Sequence, residues 1–287
     1  MPLSPLGQRV VTALVLVSAI AIALFALPAR GWGCVLLLIV AAGAHEWARL
    51  ARLGEAGSWL LVATVIGIGA GLLFVDSAGF AQGWPTRVVL AVCGVAALFW
   101  LVVAPFMLAS NRPGGSRAVR FVIAVIVLIG AWVALVELKA HSPWLVLAAM
   151  ATVWIADTAA YFAGRRFGKH KLAPSISPGK SWEGVFGGLA AVGVYALLIA
   201  RFAGESGYTG PAGAGAVLLF VVFAMLIAAI SVAGDLFESM LKRHAGVKDS
   251  GSLLPGHGGV LDRIDAMLAA MPAMALAATW FLAKGSP

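Results

Sequence analysis

Long apolar runs alternate with short polar breaks from one end of the chain to the other. A helix that crosses the hydrocarbon core of a bilayer needs about 20 mostly apolar residues. Nine runs meet or approach that length, near 10–28, 31–48, 57–75, 86–108, 119–137, 143–163, 184–203, 213–233 and 260–282. The pattern predicts an all-α polytopic integral membrane protein with about nine transmembrane helices. The second run is the weakest. Its apolar core, 32–44, is short and leads straight into His45, Glu46, Trp47 and Arg49, so it is expected to tilt or to dip into the interface. Glu46 and Trp47 read there as an interfacial anchor, ahead of the alternative that they line a distant site.

Composition agrees with the pattern. Of 287 residues 62% are hydrophobic and 11% charged, against about 25% charged in a soluble domain. Too little polar surface remains to face water, so lipid is the solvent. The formal charge is +8, from 20 Lys and Arg against 12 Asp and Glu. In a membrane protein that excess marks cytoplasmic loops and contact with anionic lipid or phosphate rather than nucleic acid. If nine spans cross, only Arg30, Arg87, Lys139, Arg201 and Lys284 fall on one side. The rest, Arg9 included, fall with the N-terminus and the even-numbered loops. The positive-inside bias places that second set in the cytoplasm. The apolar run after Arg9 is long enough to span and is read as a span, not as a cleaved signal. Lys139, on the far face, is expected to matter little. Cys34 and Cys93 sit in apolar runs far from any ligand cluster and read as small filler.

The chain divides by character. Residues 1–142 hold the N-terminal spans, with sparse charge. Residues 143–287 form a candidate catalytic region in which polar residues gather in two cytoplasmic loops, 164–183 and 234–260. No transporter-type repeat is visible.

The first polar cluster runs over 154–184. Asp157 lies inside the sixth span, where a carboxylate costs about 2.5–3.5 kcal/mol unless paired or hydrated. It reads equally as a structural partner for a base on another helix or as a polar wall of a site. Arg165, Arg166, Lys169 and Lys171 follow and suit ordinary positive-inside charge. Ser177, Lys180 and Ser181 sit in a Pro/Gly-rich turn just before the next span. Backbone amides near a helix start, beside a Lys, make a natural phosphate cradle.

The second cluster, 231–265, is denser. Asp235 and Glu238 are three residues apart, as are Asp262 and Asp265, so each pair shares a helix face. One pair closes the eighth span and the other opens the ninth, at the same membrane face. Clustered carboxylates without His or Cys at ligand spacing suit a hard cation such as Mg²⁺. Lys242, Arg243 and Lys248 lie between the pairs and can hold phosphate oxygens, and His257 lies among glycines that let backbone approach a ligand. Each acid also has a plainer reading: Asp235 with Glu238 as a helix N-cap pair, Asp262 as a partner of a helix dipole. Five acids and four Lys or Arg over 235–265 exceed what a headgroup-binding patch requires.

At this point a family resemblance enters. The stretch Ser239-x-Leu-Lys-Arg-x4-Lys-Asp-x-Gly-x2-Leu-Pro-Gly-His-Gly-Gly-x-Leu-Asp-Arg-x-Asp resembles the C-terminal signature of phosphatidate cytidylyltransferases (CDP-diacylglycerol synthases). So do Asp157-Thr158-x2-Tyr161-Phe162, Gly164-Arg165-x-Phe167-Gly168-Lys169 and Ser177-Pro178-x-Lys180-Ser181-x-Glu183-Gly184. Ser181 stands where that pattern carries Thr, and Ala266 where it carries Ser. The resemblance implies a bacterial-type inner-membrane enzyme of phospholipid biosynthesis that joins CTP and phosphatidate into CDP-diacylglycerol and pyrophosphate, and a homodimer. It implies divalent metal, expected as Mg²⁺, on Asp235 and Asp262, supported by Asp265 and Glu238, with a monovalent cation such as K⁺ alongside. Lys180, Lys242, Arg243 and His257 become candidate phosphate contacts. Ser177, Ser181, Lys248, Arg263 and Asp157 complete the substrate-binding set. The rival readings are another membrane lipid phosphotransferase, such as a lipid kinase or a polyprenyl-phosphate sugar-phosphate transferase, and a transporter. Charges collected at one face disfavour the transporter.

Overall fold

The computed structural model describes residues 5–75, 83–202 and 213–285. Helix α1 is Pro5–Ala26, α2 Ala29–Leu50 and α3 Gly54–Val75. Helix α4, Thr86–Leu98, passes through a π-helical turn, Phe99–Val103, into α5, Ala104–Ser110. Helices α6, Arg117–His141, and α7, Pro143–Phe167, precede a small hairpin of β1, Lys171–Ala173, and β2, Ser177–Ser181. Helices α8, Trp182–Phe202, α9, Ala214–Ala245, and α10, Leu261–Gly285, complete the chain. Eight helical stretches among the described residues are long and apolar enough to span a membrane, and α1 carries a ninth, shorter apolar stretch. The all-α polytopic architecture read from the hydropathy is the architecture found.

Helix α6 is the hub. Its middle is largely buried from Ile123 to Lys139, and it packs against α2, α4 and α10. The weakest run in the sequence is a continuous 22-residue helix, α2. At 1.5 Å per residue it is about 33 Å long, enough to span. Its composition is mixed because it is an interior helix whose polar residues meet protein. Trp47 is not an interfacial anchor: it is 2% exposed and stacks on Phe237 of α9 at 5.9 Å. The π-helical turn lies just ahead of Pro105, whose missing N–H breaks the regular bonding and is absorbed there. Helices α7 and α8 approach through small residues. A Cβ on Gly184 would lie 2.8 Å from the Ala160 carbonyl, and one on Gly188 equally close to that of Ala156.

Two polar stretches expected as loops are partly regular. Residues 234–245 are the last three turns of α9, a 32-residue helix about 48 Å long that outruns the hydrocarbon core. Hydropathy falls there but helix does not, and Gly246 ends it with φ +80°. The 164–183 stretch begins as helix to Phe167 and continues as the hairpin, in which Lys171 pairs with Ser181 and Ala173 with Ser177.

Contacts group the connections by side. Arg120 donates to the Ala51 carbonyl at 2.7 Å, His244 lies 3.0 Å from that of Asn111, and Arg243 reaches Ile176. Thr12 donates to Pro255. The even-numbered connections and the start of α1 therefore share one end, as the charge partition predicts. At the other end Lys139 donates to the Ala23 and Leu27 carbonyls, and Glu137 accepts from the Trp84 amide. The side chains of Arg9 and Lys284 lie outside the described residues.

Candidate active site

The polar centre forms where α9 and α10 touch. Gly234 makes the contact possible: a Cβ there would lie 2.6 Å from the Asp265 carbonyl and 2.9 Å from the Ala269 Cβ. The next residue on α9 is Asp235, so the close crossing sets it beside Asp265. One turn further, Glu238 and Lys242 share that helix face, as i, i+4 neighbours do.

Two ammonium groups bind the carboxylates together. Lys180 Nζ, from β2, is 2.7 Å from Asp235 Oδ2, and the Ser239 hydroxyl donates to Asp235 Oδ1 at 3.3 Å. Lys242 Nζ lies 2.5 Å from Glu238 Oε2 and 2.7 Å from Asp262 Oδ1. Asp262 is the second residue of α10. Its Oδ2 accepts the Ser250 and Gly259 amides at 2.9 and 2.8 Å and the Ser250 hydroxyl at 3.0 Å. The sequence allowed Asp262 to be a helix-start acid, and it is one. It also gathers the 246–260 loop onto α10. Asp235 and Glu238 are not an N-cap pair, since both lie deep within α9.

The other predicted residues fall around this centre in different ways. Asp265 is half-buried, its Oδ1 taken by the Ala266 amide at 2.7 Å. That bond comes from backbone, so the carboxylate keeps a neighbour although Ala266 lacks a hydroxyl. Asp157 is exposed on α7 and stands within electrostatic range of Asp235 and Lys180. Arg243 is exposed and fastens the hairpin turn to α9, donating to the Ile176 carbonyl at 3.3 Å. Arg263 donates to the His257 carbonyl at 3.1 Å. His257 Nδ1 is buried with no hydrogen-bond partner among the described residues. Lys248 is exposed on the loop. Ser181 is 3% exposed and its hydroxyl accepts the Gly184 amide at 3.2 Å, so it caps α8. Ser177 lies at the start of β2, where it pairs with Ala173.

One residue was missed. Glu46, at the end of α2, is 4% exposed. It accepts the Ser250 hydroxyl at 2.8 Å, the Val260 amide at 3.0 Å and the Leu261 amide at 2.8 Å. It thereby holds the first turn of α10 and the loop that feeds it. A Cβ on Gly251 or Gly259 would collide with its carboxylate, which explains two of the loop's glycines. The available signal was a carboxylate at the end of an apolar run, costly unless satisfied.

The donor set suits a hard cation in kind: oxygen only, four carboxylates, and Glu238 Oε1 buried without a hydrogen-bond partner among the described residues. In arrangement the carboxylates are spaced by the two ammoniums, and among the described residues no three metal-ligating side chains form a ready cluster. On Asp235, the Lys180 ammonium takes the Oδ2 oxygen.

Fold and site together define a polytopic helical membrane protein with a lysine–carboxylate centre at one end of its bundle. The chain belongs to the cytidylyltransferase family, whose model matches residues 7–281. It is similar to a protein named phosphatidate cytidylyltransferase from Pseudomonas aeruginosa, 40% identical over 288 residues and covering 98% of this chain and 100% of that one. It is similar also to one of that name from Haemophilus influenzae, 37% identical over 93% of this chain and 96% of that protein. A third, from Thermotoga maritima, is 43% identical over 126 residues, 44% of this chain and 46% of its own length.

Proposed function

We propose that this chain transfers CMP from CTP to phosphatidate, leaving CDP-diacylglycerol in the bilayer and releasing pyrophosphate. Its family and the names of its relatives support that reaction. The observation that carries the reading into the geometry is the pair of ammoniums, Lys180 and Lys242, held on carboxylates of α9 and α10.

The reaction must bring two polyanions together. An oxygen of the phosphatidate phosphate attacks the α-phosphorus of CTP, a bond to that phosphorus forms, and the bond to the bridging β-phosphate oxygen breaks. Pyrophosphate leaves with the electron pair. The nucleophile is already an anion at neutral pH, so no general base is needed, and the work is positioning and charge compensation. Lys180 and Lys242 hold phosphate oxygens, and Arg243, Lys248 and Arg263 extend the positive field over the loop. His257, with an unsatisfied Nδ1, adds a polar contact at the glycine turn. A divalent cation such as Mg²⁺, held through Asp235 and Asp262 with Asp265 and Glu238 in support and K⁺ alongside, would when bound neutralise phosphate charge as a Lewis acid. Asp157 and Asp235 keep Lys180 in place between turnovers. The positive-inside bias supports a cytoplasmic position for this end, and the bacterial relatives support an inner membrane with phospholipid biosynthesis as the process served. The family resemblance supports a homodimer.

Purified protein in detergent provides the test. Pyrophosphate release from CTP should require both phosphatidate and a divalent cation. Release without phosphatidate, or none with all three present, overturns the assignment.

A further inference from the structure

A second polar cleft, sharing no lining residue with the lysine–carboxylate centre, lies where the end of α2, the start of α3 and the start of α6 meet. It encloses about 560 Å³. Arg49, Arg52 and Arg117 converge on it from two separate parts of the chain, with Glu55 the one acid in its lining. All three arginines are exposed, and none of their guanidiniums makes an ion pair or hydrogen bond with a described residue. The positive-inside bias explains the sign of charge at this end. It does not explain why three guanidiniums share one cleft without partners.

The inner wall is polar. Ser58 is 4% exposed and its hydroxyl lies 3.0 Å from His45 Nδ1. The outer wall is apolar and open: Trp59 is 61% exposed, with its ring 5.7 Å from that of His45. Arg52 is held at φ +52°, one of two non-glycine residues in the left-handed region among the described residues. That conformation ends α2, with the Arg52 N–H on the Arg49 carbonyl and the Leu53 N–H on that of Ala48, and it turns the Arg52 side chain away from the helix. Guanidiniums pair with phosphate through two parallel N–H groups, and basic pockets between membrane helices hold anionic headgroups.

We propose that this cleft binds the phosphoester headgroup of an anionic membrane lipid, at a site separate from the reaction centre. The three arginines take the phosphate, the His45–Ser58 pair offers hydrogen bonds beneath it, and Trp59 lies against the glycerol and upper chain. A lipid and free phosphate share the ligand chemistry, and the exposed Trp59, at the start of the membrane-spanning α3, favours the lipid.

The test is thermal unfolding of purified full-length protein in detergent, titrated with short-chain phosphatidylglycerol, short-chain phosphatidylcholine or inorganic phosphate. Phosphatidylglycerol should raise the wild-type midpoint by about 2–4 °C, and phosphatidylcholine should not. Arg49→Gln, Arg52→Gln and Arg117→Gln together should abolish the rise and keep phosphatidate-dependent turnover. If that variant does not fold, Arg117→Gln alone, at the open start of α6, should at least halve the rise. An unchanged rise in the folded variant overturns the site, as does an equal rise with phosphatidylcholine. The full rise from inorganic phosphate overturns the lipid assignment. Phosphatidylglycerol is not a reactant in the proposed transfer, so this result is independent of that reaction.

Discussion

The carboxylate of Glu46 accepts the backbone N–H of Leu261 at 2.8 Å, across 215 residues of chain. Through it the second helix fixes where the tenth begins, and so where Asp262 stands. Glu46→Ala would orphan the Val260 and Leu261 amides in a buried place, and an unsatisfied buried group costs about 1–3 kcal/mol. The expected outcome is a lower unfolding midpoint and a turnover reduced by about a hundredfold or more. Glu46→Gln, which keeps one acceptor oxygen and the shape, should fall between. Activity and thermal unfolding measured on the same preparations check this, and wild-type turnover in Glu46→Ala would remove Glu46 from the argument.

Lys180 reaches Asp235 from a surface hairpin, so its loss should spare the fold. Lys180→Ala is expected to unfold at nearly the wild-type temperature while losing about 10²–10³ in turnover, the scale for a lost charge-stabilising donor. Lys180→Arg should restore only part, since the guanidinium is planar and larger. A large drop in stability with turnover intact would make Lys180 a structural tie.

Asp262→Asn changes more than one charge. The amide nitrogen would face groups that are themselves donors: the Ser250 and Gly259 amides and the Lys242 ammonium. Turnover should vanish across a full Mg²⁺ titration, and the 246–260 loop should become more protease-sensitive. Near wild-type turnover at any Mg²⁺ concentration would refute the role given to this carboxylate.

Gly234 can be tested by size. Gly234→Ala and then Gly234→Val push progressively on the Asp265 carbonyl and on Ala269. Overpacking of this kind costs about 1–3 kcal/mol. Turnover should fall more steeply than stability along the series, because the same contact sets Asp235 beside Asp265. Parallel loss of both would mean that the crossing matters only for folding.

Lys139 was expected from sequence to matter little, being on the face away from the chemistry. The structure revises this for stability. Lys139 is buried, donates to the Ala23 and Leu27 carbonyls and lies over the Trp32 ring at 5.5 Å. Lys139→Ala should lower the unfolding midpoint by an amount corresponding to about 1–3 kcal/mol and leave turnover per folded molecule unchanged. Activity against thermal unfolding separates the two.

Much of this centre was legible because it is local. Asp235, Glu238 and Lys242 follow helical spacing, and Asp262 and Asp265 repeat it at the next helix start, so periodicity alone put each set on one face. Their meeting required only that consecutive helices pack, which Gly234 permits. What stayed hidden has no period. The hairpin over 171–181 is short and rich in Pro and Gly, and the helical turns after Gly234 are too polar for a hydropathy window. Glu46 finds its partners more than 200 residues away, and nothing near it in sequence names them. Trp47 beside it had the composition of an interface residue and the environment of a core one.

The order of synthesis now acquires a meaning. Helix α10 leaves the ribosome after α9, and until it inserts beside α9 and meets Glu46 the lysine–carboxylate centre lacks Asp262 and Asp265. A translation product halted before that point would sit in the bilayer with most of its spans in place and only half of its carboxylate centre.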